Sequence, residues 1–527
     1  MDLQDIKDIE RATEQGRGEL FRIGFALIFI VCVMLYTAIR GQGEGSIVLV
    51  IAAVIGGYMA MNIGANDVAN NVGPAVGSKA LTLGGALAIA AIFEAAGALI
   101  AGGEVVGTIR SGIINPDMLR DSAETFVWVM LAALLAGALW LNFATAVGAP
   151  VSTTHSIVGA VLGAGVAAKG FDIVNWGSMS AIASSWVISP VLGGVVAAGF
   201  LYLIKRSITY QPDMAAAARK MVPMLIAFMA WSFGTYILLK GLGKVWKLSF
   251  MAAALYSLGF SVVVFLLVRQ RANRIGNVIA NTKGDVNKLF TLPLIFAAAL
   301  LSFAHGSNDV ANAVGPLAAI VDVVTSGGAI NDSAAIPVWV MGVGALGIAL
   351  GLALFGPKVI RTVGSEITEL DQMRAYCIAM SATITVIVAS QLGLPVSSTH
   401  IAVGGVFGVG FLREYLKSNY DRMMAEIKAH HPEGDQAAID AFLVVFNKAS
   451  IDEKGEMLKD LKARSKRRQD PANFSKGERR GLRKVYKRQL VKRSQLIRIA
   501  AAWVITVPAS ALMAAMIFYM IRGMMVS

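Results

Sequence analysis

The sequence predicts an all-α polytopic membrane protein with about 12 transmembrane helices, arranged as two inverted-topology repeats with broken or re-entrant helices. Three observations lead to this prediction. The 527 residues are 56% hydrophobic and 15% charged, which is too little charge to cover a soluble protein of this size. Apolar runs long enough to cross a bilayer recur along the chain. Two polar motifs each occur twice, in the same order.

Eleven apolar runs are long enough to cross about 30 Å of hydrocarbon. In chain order they are Phe21–Ala38, Ile47–Ile63, Leu81–Ala101, Phe126–Val147, Ser180–Ile204, Met221–Leu239, Ser249–Val268, Phe290–Ala304, Ile336–Phe355, Ala375–Leu392 and Leu496–Ile521. The first lacks a basic leader and a cleavage site, so we expect a retained helix. Shorter apolar stretches follow Pro74, His155, Pro316 and His400, and their length predicts half-helices or re-entrant hairpins.

The internal repeat consists of two polar motifs in each half. Residues 64–74 read GANDVANNVGP and residues 306–316 read GSNDVANAVGP, identical at nine of eleven positions. Residues 148–159 read GAPVSTTHSIVG and residues 393–404 read GLPVSSTHIAVG, identical at eight of twelve. The shared order and similar spacing of the motifs indicate a duplication.

Basic segments predict how the halves are oriented. The linkers 205–220 and 269–288 are basic and are separated by two apolar runs, so the positive-inside rule places both in the cytoplasm. The first half then ends on the side where the second half begins, as in inverted repeats. We therefore expect a multi-pass protein of the cell membrane (inner or plasma), with a cytoplasmic N-terminus and an outside C-terminus.

The chain divides into six parts on this interpretation. They are an N-terminal cytoplasmic segment with an extra helix (1–45), the first repeat (46–206), a linker with two transmembrane helices (207–288), the first part of the second repeat (289–411), a basic cytoplasmic insertion (412–494) and the last helix of the second repeat (495–527). The insertion holds 21 Lys and Arg against 12 Asp and Glu. The positive-inside rule explains this charge better than nucleic-acid binding does.

Amide and carboxylate side chains interrupt the apolar sequence at the first motif of each half. They are Asn66, Asp67, Asn70 and Asn71, and in the second half Asn308, Asp309 and Asn312. A carboxylate at membrane depth is costly unless a cation, a proton or a hydrogen bond compensates it, and side-chain oxygens suit a hard cation. The neighbouring Gly and Pro residues predict a broken helix. Helix capping would explain one copy, but less readily two copies that both retain aspartate.

Three consecutive hydroxyl side chains follow the proline of the second motif. They are Ser152, Thr153 and Thr154 in the first half, and Ser397, Ser398 and Thr399 in the second. Proline fits the first turn of a helix, where free N–H groups and hydroxyls can surround an anion without a buried Arg or Lys. Ser and Thr also cap helices, and the two roles are compatible.

Glu94 and two histidines are further candidates. Glu94 is a carboxylate within a predicted span, whereas the equivalent position, near Ile348, is apolar, so any role of Glu94 is asymmetric. His155 and His400 fit either a proton relay or a hydrogen-bonded structural role. Their spacing to other residues indicates neither a zinc site nor an acid that would orient a Ser–His nucleophile.

At these motifs the chain resembles the inorganic phosphate transporter family, of the sodium–phosphate symporter type. Members are similar in carrying GANDVAN-like and P-x-S-x-T-H-like segments, one of each per inverted half. The resemblance implies a transporter and not an enzyme, one that moves inorganic phosphate with Na+, or with H+, by alternating access and without a cofactor. The extra first helix and the late basic insertion depart from the family pattern.

The resemblance also implies roles for residues by position. Phosphate would contact Asp67, Asn70, Ser152, Thr153, Thr154, Asp309, Asn312, Ser397, Ser398 and Thr399. The cation would contact Asn66, Asp67, Asn308, Asp309 and Glu94. A homodimer in the lipid bilayer, with no nucleic-acid partner, is compatible with the sequence. The alternatives are a sulfate or other oxyanion permease of the same fold and, behind it, an anion channel or a membrane-embedded hydrolase.

Overall fold

The structure, a computed structural model, describes residues 3–40, 46–147, 149, 151–241, 248–276, 280–331, 335–366, 370–429 and 493–525. Within these ranges the chain is helical, and one isolated β-bridge joins Ile114 to Val174. Eleven of the described helices are long and apolar enough to cross a membrane. The prediction of an all-α polytopic protein is therefore confirmed, while the count of about 12 crossings stays a prediction.

We number the α-helices of the described ranges in chain order. They are α1 (Leu3–Arg40), α2 (Ser46–Gly77), α3 (Leu83–Ala101), α4 (Gly103–Gly107), α5 (Ala123–Ala146), α6 (Thr153–Lys169), α7 (Trp176–Ile204), α8 (Met214–Lys240), α9 (Phe250–Gly276), α10 (Lys283–Lys288), α11 (Thr291–Thr325), α12 (Val338–Glu366), α13 (Gln372–Gln391), α14 (Ser398–Ala429) and α15 (Arg493–Met525). Helices α8 and α9, which fall in the predicted linker, pack against each other, and α1 packs on α2 and α12.

Helices of the two halves pack as exchanged pairs. Helix α2, which carries the first motif, packs against α12 of the second half, and the equivalent helix α11 packs against α3 of the first. Likewise α6 packs against α15, and its equivalent α14 packs against α7. Each pair thus recurs with the halves swapped, which is the arrangement that a two-fold relation between the halves predicts.

Glycines allow these pairs to approach backbone to backbone at equivalent positions. A Cβ added at each of four glycines would lie 1.9 to 2.1 Å from a carbonyl oxygen of the facing helix, where no side chain fits. The contacts are Gly64 to Ile348 and Gly351 to Met61 between α2 and α12, and Gly306 to Glu94 and Gly97 to Phe303 between α11 and α3. The same two contacts therefore occur once in each exchanged pair, and they identify Ile348 as the equivalent of Glu94.

The equivalent helices α2 and α11 cross in opposite directions. Gly56, early in α2, lies against Leu317, late in α11. Further along α2, Asp67 lies beside His305, which is twelve residues earlier in α11 than Leu317. A two-fold axis along the membrane normal would leave equivalent helices parallel. The antiparallel crossing fits an axis in the membrane plane, and the inverted-repeat arrangement stays a prediction.

The predicted helix break at the Asn/Asp motifs is wrong. Helix α2 continues through Pro74 to Gly77, and α11 continues through Pro316 to Thr325. A proline removes one hydrogen bond, whereas a break in an apolar environment would leave several backbone groups unpaired. The chain turns instead between α5 and α6 and between α13 and α14, where short segments within the protein connect two packed helices.

The structure describes only the two ends of the predicted basic insertion, residues 412–429 and 493–494. Helix α14 extends from the second motif to Ala429, and α15 begins at Arg493. The remainder of the predicted segment 412–494, including its cluster of Lys and Arg, lies outside the described residues. Its predicted cytoplasmic location therefore stays a prediction.

Candidate functional site

The four motifs meet in one buried cluster. The Asn/Asp motifs lie in the second half of α2 and in the middle of α11, and Asp67 and Asp309 each expose only 1% of their surface. The Ser/Thr motifs begin α6 and α14, whose first residues are also buried. Two helix N-termini and two unbroken helices therefore surround the same interior space.

The first hydroxyl of each Ser/Thr motif caps its own helix. Ser152 Oγ accepts a hydrogen bond from the His155 N–H at 3.1 Å, and Ser397 Oγ accepts one from the His400 N–H at 3.2 Å. Capping satisfies one of the free N–H groups of the first turn. The sequence-based capping interpretation fits both serines, and the side chains that bond to the aspartates and asparagines come from the next two positions.

We call the helix pairs α5–α6 and α13–α14 the hairpins of the first and second half. Each aspartate accepts a hydrogen bond from the hairpin of its own half. Thr153 Oγ1 donates to Asp67 Oδ2 at 3.0 Å, and the equivalent Ser398 Oγ donates to Asp309 Oδ2 at 3.2 Å. Asp67 also accepts from Thr399 of the other half at 3.1 Å. The carboxylates and hydroxyls predicted to bind cation and phosphate are thus in direct contact.

The asparagine three residues after the aspartate in each motif, Asn70 or Asn312, reaches the hairpin of the opposite half. Asn70 Nδ2 donates to Thr399 Oγ1 at 2.8 Å, and its equivalent Asn312 Nδ2 donates to Thr154 Oγ1 at 3.2 Å. These bonds join residues 329 and 158 positions apart. The site therefore follows the same two-fold exchange as the helices.

The first asparagine of each motif contacts the hairpin of its own half, at the end of the first hairpin helix or in the turn after it. Asn308 Nδ2 donates to Ser390 Oγ at 3.0 Å and to the Leu394 carbonyl at 3.2 Å. The Asn66 amide lies 2.9 Å from Thr145 Oγ1, in the last turn of α5. Both side chains connect the motif helix to its hairpin. Their role as cation ligands stays a prediction.

Glu94 reaches the cluster through a residue that sequence reasoning missed, His305. Glu94 Oε2 lies 3.2 Å from His305 Nδ1, and His305 Nε2 lies 2.9 Å from Asp309 Oδ2 and 3.6 Å from Asp67 Oδ2. Asn71 Nδ2 donates to Glu94 Oε1 at 2.7 Å. The chain of contacts therefore runs from Asn71 through Glu94 and His305 to both aspartates.

A signal for His305 was present in the sequence. The residue directly before the first motif is His305 in the second half and Ile63 in the first half. Glu94 and Ile348 show the same contrast of polar and apolar residues at equivalent positions. Comparison of the halves just outside the matched motifs would have paired the two exceptions.

The predicted histidines lie apart from this chain of contacts. The rings of His155 and His400 are 4.4 Å apart between centroids, and the His155 ring is 3.8 Å from that of Trp186 in an edge-to-face contact. Aromatic packing holds these rings, whereas both ring nitrogens of His155 are buried without a hydrogen-bond partner among the described residues, so the predicted hydrogen-bonded structural role does not fit His155. Their proton-relay role stays an untested prediction.

The charge of the cluster is unbalanced. Within the described part of the chain, His305 is the one basic side chain that forms ion pairs with Asp67, Asp309 and Glu94. Asp309 Oδ1 and Asn312 Oδ1 are buried without a hydrogen-bond partner among the described residues. Buried oxygens of this kind need a compensating group, and a bound cation would supply one.

The chain is similar to known proteins over most of its length. A family model described as "Phosphate transporter family" matches residues 63–514. A Helicobacter pylori protein named "Putative phosphate permease" is 51% identical over 525 residues, covering 98% of each chain, and a Haemophilus influenzae protein of the same name is 40% identical over 70% of this chain and 89% of its own. A solved structure titled "The sodium-dependent phosphate transporter" is 30% identical, covers 91% of this chain and 100% of its own, and superposes with a TM-score of 0.73.

Proposed function

The chain belongs to the phosphate transporter family, and on that premise we propose that it carries inorganic phosphate across the membrane in symport with Na+. The observation that carries the proposal is the meeting of Asp67 and Asp309 with hydroxyls from two helix starts in one buried cluster. Carboxylates are ligands for a hard cation, and hydroxyls at helix N-termini are ligands for an oxyanion.

Charge explains why the two ions travel together. A phosphate dianion beside two carboxylates is repelled, and the repulsion is strong where water is excluded. A cation bound at Asp67 and Asp309 weakens that repulsion and adds its own attraction for the anion, so phosphate binds more tightly once the cation is present. Linkage requires the reverse effect to be equal, so phosphate raises cation affinity by the same factor.

Sodium is the favoured coupling ion. The solved structure that superposes on this chain is titled a sodium-dependent phosphate transporter. Asp309 Oδ1 and Asn312 Oδ1, which lack other partners among the described residues, are oxygen ligands of the kind that a hard cation takes.

The exchanged helix pairs support a mechanism of alternating access. The α5–α6 and α13–α14 hairpins belong to halves whose first helices cross in opposite directions, so we infer that they approach the site from opposite membrane faces. Movement of one hairpin at a time would then open one face at a time. With the basic linkers in the cytoplasm, the N-terminus lies inside and the C-terminus outside, and a homodimer fits this arrangement.

Uptake of labelled phosphate by the purified full chain in proteoliposomes tests the proposal. Sodium, potassium and pH gradients are imposed separately, and the sodium gradient is expected to drive concentrative uptake that saturates with phosphate. Uptake driven equally by the pH gradient alone would replace Na+ with H+. Stronger uptake of sulfate than of phosphate would move the chain to the oxyanion alternative, and non-saturating flux would indicate a channel.

A further inference from the structure

His305 adds a nitrogen ligand to a site otherwise lined by oxygen. The potential ligand atoms of Asp67, His305 and Asp309 all lie within 4.8 Å of one another, and all three residues are buried. Sodium takes oxygen ligands, whereas imidazole nitrogen is a ligand of Zn2+, Co2+, Ni2+ and Cu2+. A sodium site alone therefore gives no reason for an imidazole at this position.

The distances within this cluster suit a small metal ion. Around a tetrahedral ion with bonds of 2.0 to 2.1 Å, neighbouring ligand atoms lie about 3.3 Å apart. His305 Nε2 lies 2.9 Å from Asp309 Oδ2 and 3.6 Å from Asp67 Oδ2, so the two separations lie on either side of that value. Small shifts of the side chains would place all three atoms around one ion.

The far side of the imidazole is held as metal-bound histidines are held. Metal-ligating histidines commonly donate their second ring N–H to a carboxylate, which orients the ring and raises the basicity of the ligating nitrogen. Glu94 Oε2 lies 3.2 Å from His305 Nδ1, and Asn71 holds Glu94 in turn at 2.7 Å. This chain of contacts directs Nε2 towards the two aspartates.

The remaining charge also favours a divalent ion. With a neutral imidazole, the three carboxylates of Asp67, Asp309 and Glu94 have no basic partner among the described residues. A divalent cation compensates twice as much of this charge as sodium does. Asp309 Oδ1, which is buried and lacks a hydrogen-bond partner among the described residues, supplies a further oxygen beside the proposed ligands.

We propose that Asp67, His305 and Asp309 form a binding site for a divalent transition-metal ion such as Zn2+ or Co2+, and that this ion excludes Na+. The proposal rests on the proposed function, because the two aspartates are the carboxylates assigned to sodium there. The two cations share these ligands, so their binding is mutually exclusive. A transition-metal ion therefore inhibits phosphate uptake competitively with sodium, and Glu94 acts as a positioning residue.

Binding of Co2+ to the purified full chain tests the site directly. The double variant His430→Gln/His431→Gln serves as the background. These two histidines lie outside the described residues and are adjacent in sequence, so together they could also bind cobalt. We expect one Co2+ per chain, with the multiple scattering of an imidazole ring in its X-ray absorption spectrum. The same preparation is assayed for sodium-driven phosphate uptake with and without Co2+.

Three variants on this background separate the roles of the residues. His305→Gln is expected to remove the imidazole signature and to weaken Co2+ binding at least tenfold. Glu94→Gln is expected to retain the signature while weakening binding about 10- to 100-fold, since it acts only through the histidine. His155→Gln removes a buried histidine that packs on Trp186, and its Co2+ affinity should stay within twofold of the background.

Each outcome bears on the inference separately from the proposed function. Co2+ should raise the sodium concentration needed for half-maximal uptake and leave the maximal rate unchanged. Sodium-driven uptake without any histidine-coordinated Co2+ would overturn the metal site and leave the transporter proposal standing. Unchanged Co2+ affinity in His305→Gln would also overturn the site, whatever the uptake shows.

Discussion

The two halves of the site share one frame and differ at three positions that touch one another. The aspartates, the asparagines three residues after them and the hydroxyls form equivalent hydrogen bonds in both halves. At three further pairs of equivalent positions, one residue is polar and the other is apolar. The polar residues are Asn71, Glu94 and His305, and their apolar equivalents are Ala313, Ile348 and Ile63. The three polar residues form a single chain of contacts. The three differences between the halves are therefore connected to one another and did not arise at unrelated positions.

This difference makes the two aspartates unequal. His305 Nε2 is 2.9 Å from Asp309 Oδ2 and 3.6 Å from Asp67 Oδ2, although the imidazole reaches both. A duplicated frame alone would give two equivalent cation positions. The polar chain makes one side of the frame electrostatically distinct, which indicates that the repeat supplies the architecture and the exceptions adjust the chemistry.

The largest effect is expected from Asp67→Asn and Asp309→Asn. Each change removes a carboxylate from the proposed cation site while keeping the shape of the side chain, so cation-driven phosphate uptake in proteoliposomes should be abolished. Expression and the thermal unfolding midpoint should change little, because the amide oxygen can accept from one hydroxyl and the amide N–H can donate to another. Wild-type uptake by both variants would contradict the assignment of the site.

Substitution of the glycines at the helix crossings disrupts the packing that the two halves share. In Gly64→Ala and Gly306→Ala the new Cβ would lie 2.0 and 2.1 Å from facing carbonyl oxygens, so the exchanged helices must separate. We expect each to lose about 1–3 kcal/mol of stability or more, seen as a lower unfolding midpoint in detergent. Gly73→Ala, where a Cβ meets nothing within 4 Å, is the control. A large drop in only one of the two variants would argue against equivalent crossings.

The chain of polar contacts can be removed by introducing the apolar residues of the equivalent positions. Glu94→Ile alone leaves Asn71 and His305 with buried polar groups unpaired, at a cost of about 1–3 kcal/mol each. The triple variant Asn71→Ala/Glu94→Ile/His305→Ile introduces the residue types found at the three equivalent positions and should recover most of the lost unfolding midpoint. Sodium-driven uptake should nevertheless fall about tenfold, because Glu94, a predicted contact of the transported cation, is removed together with the imidazole beside both aspartates.

The outcome of the triple variant decides what the polar chain does. Recovered stability with reduced uptake assigns it a functional role. Full recovery of both stability and uptake would show that the chain only satisfies its own members and has no part in transport.

The smallest effect is expected at the helix caps. Ser152→Ala and Ser397→Ala each remove the acceptor for a first-turn N–H, at a cost of about 1 kcal/mol. The loss should be similar in the two halves and should be reversed by Ser→Asn, which caps a helix equally well. Phosphate affinity, measured from the concentration dependence of uptake, distinguishes capping from direct contact. A strong loss of affinity in the Asn variants would assign phosphate binding to these serines.

Much of the site could be predicted from the sequence because repetition marked it. The motifs containing Asp67 and Asp309 are polar islands in apolar sequence that occur twice, and burial of polar groups in a bilayer is costly enough for such islands to indicate function. His305 was missed because it is not repeated. A single histidine has many structural roles, and its meaning became apparent only with Glu94 beside it.

The sequence by itself determined the membrane-spanning class, the duplication and the residue types of the site, since hydropathy and repetition are local properties of the chain. Only the tertiary structure decided that α2 and α11 run unbroken through Pro74 and Pro316, and that Asn70 meets Thr399 across 329 residues. These features depend on how glycine crossings and hairpins satisfy backbone and side-chain groups in an apolar surrounding. That is a property of packing between distant segments, and no local pattern records it.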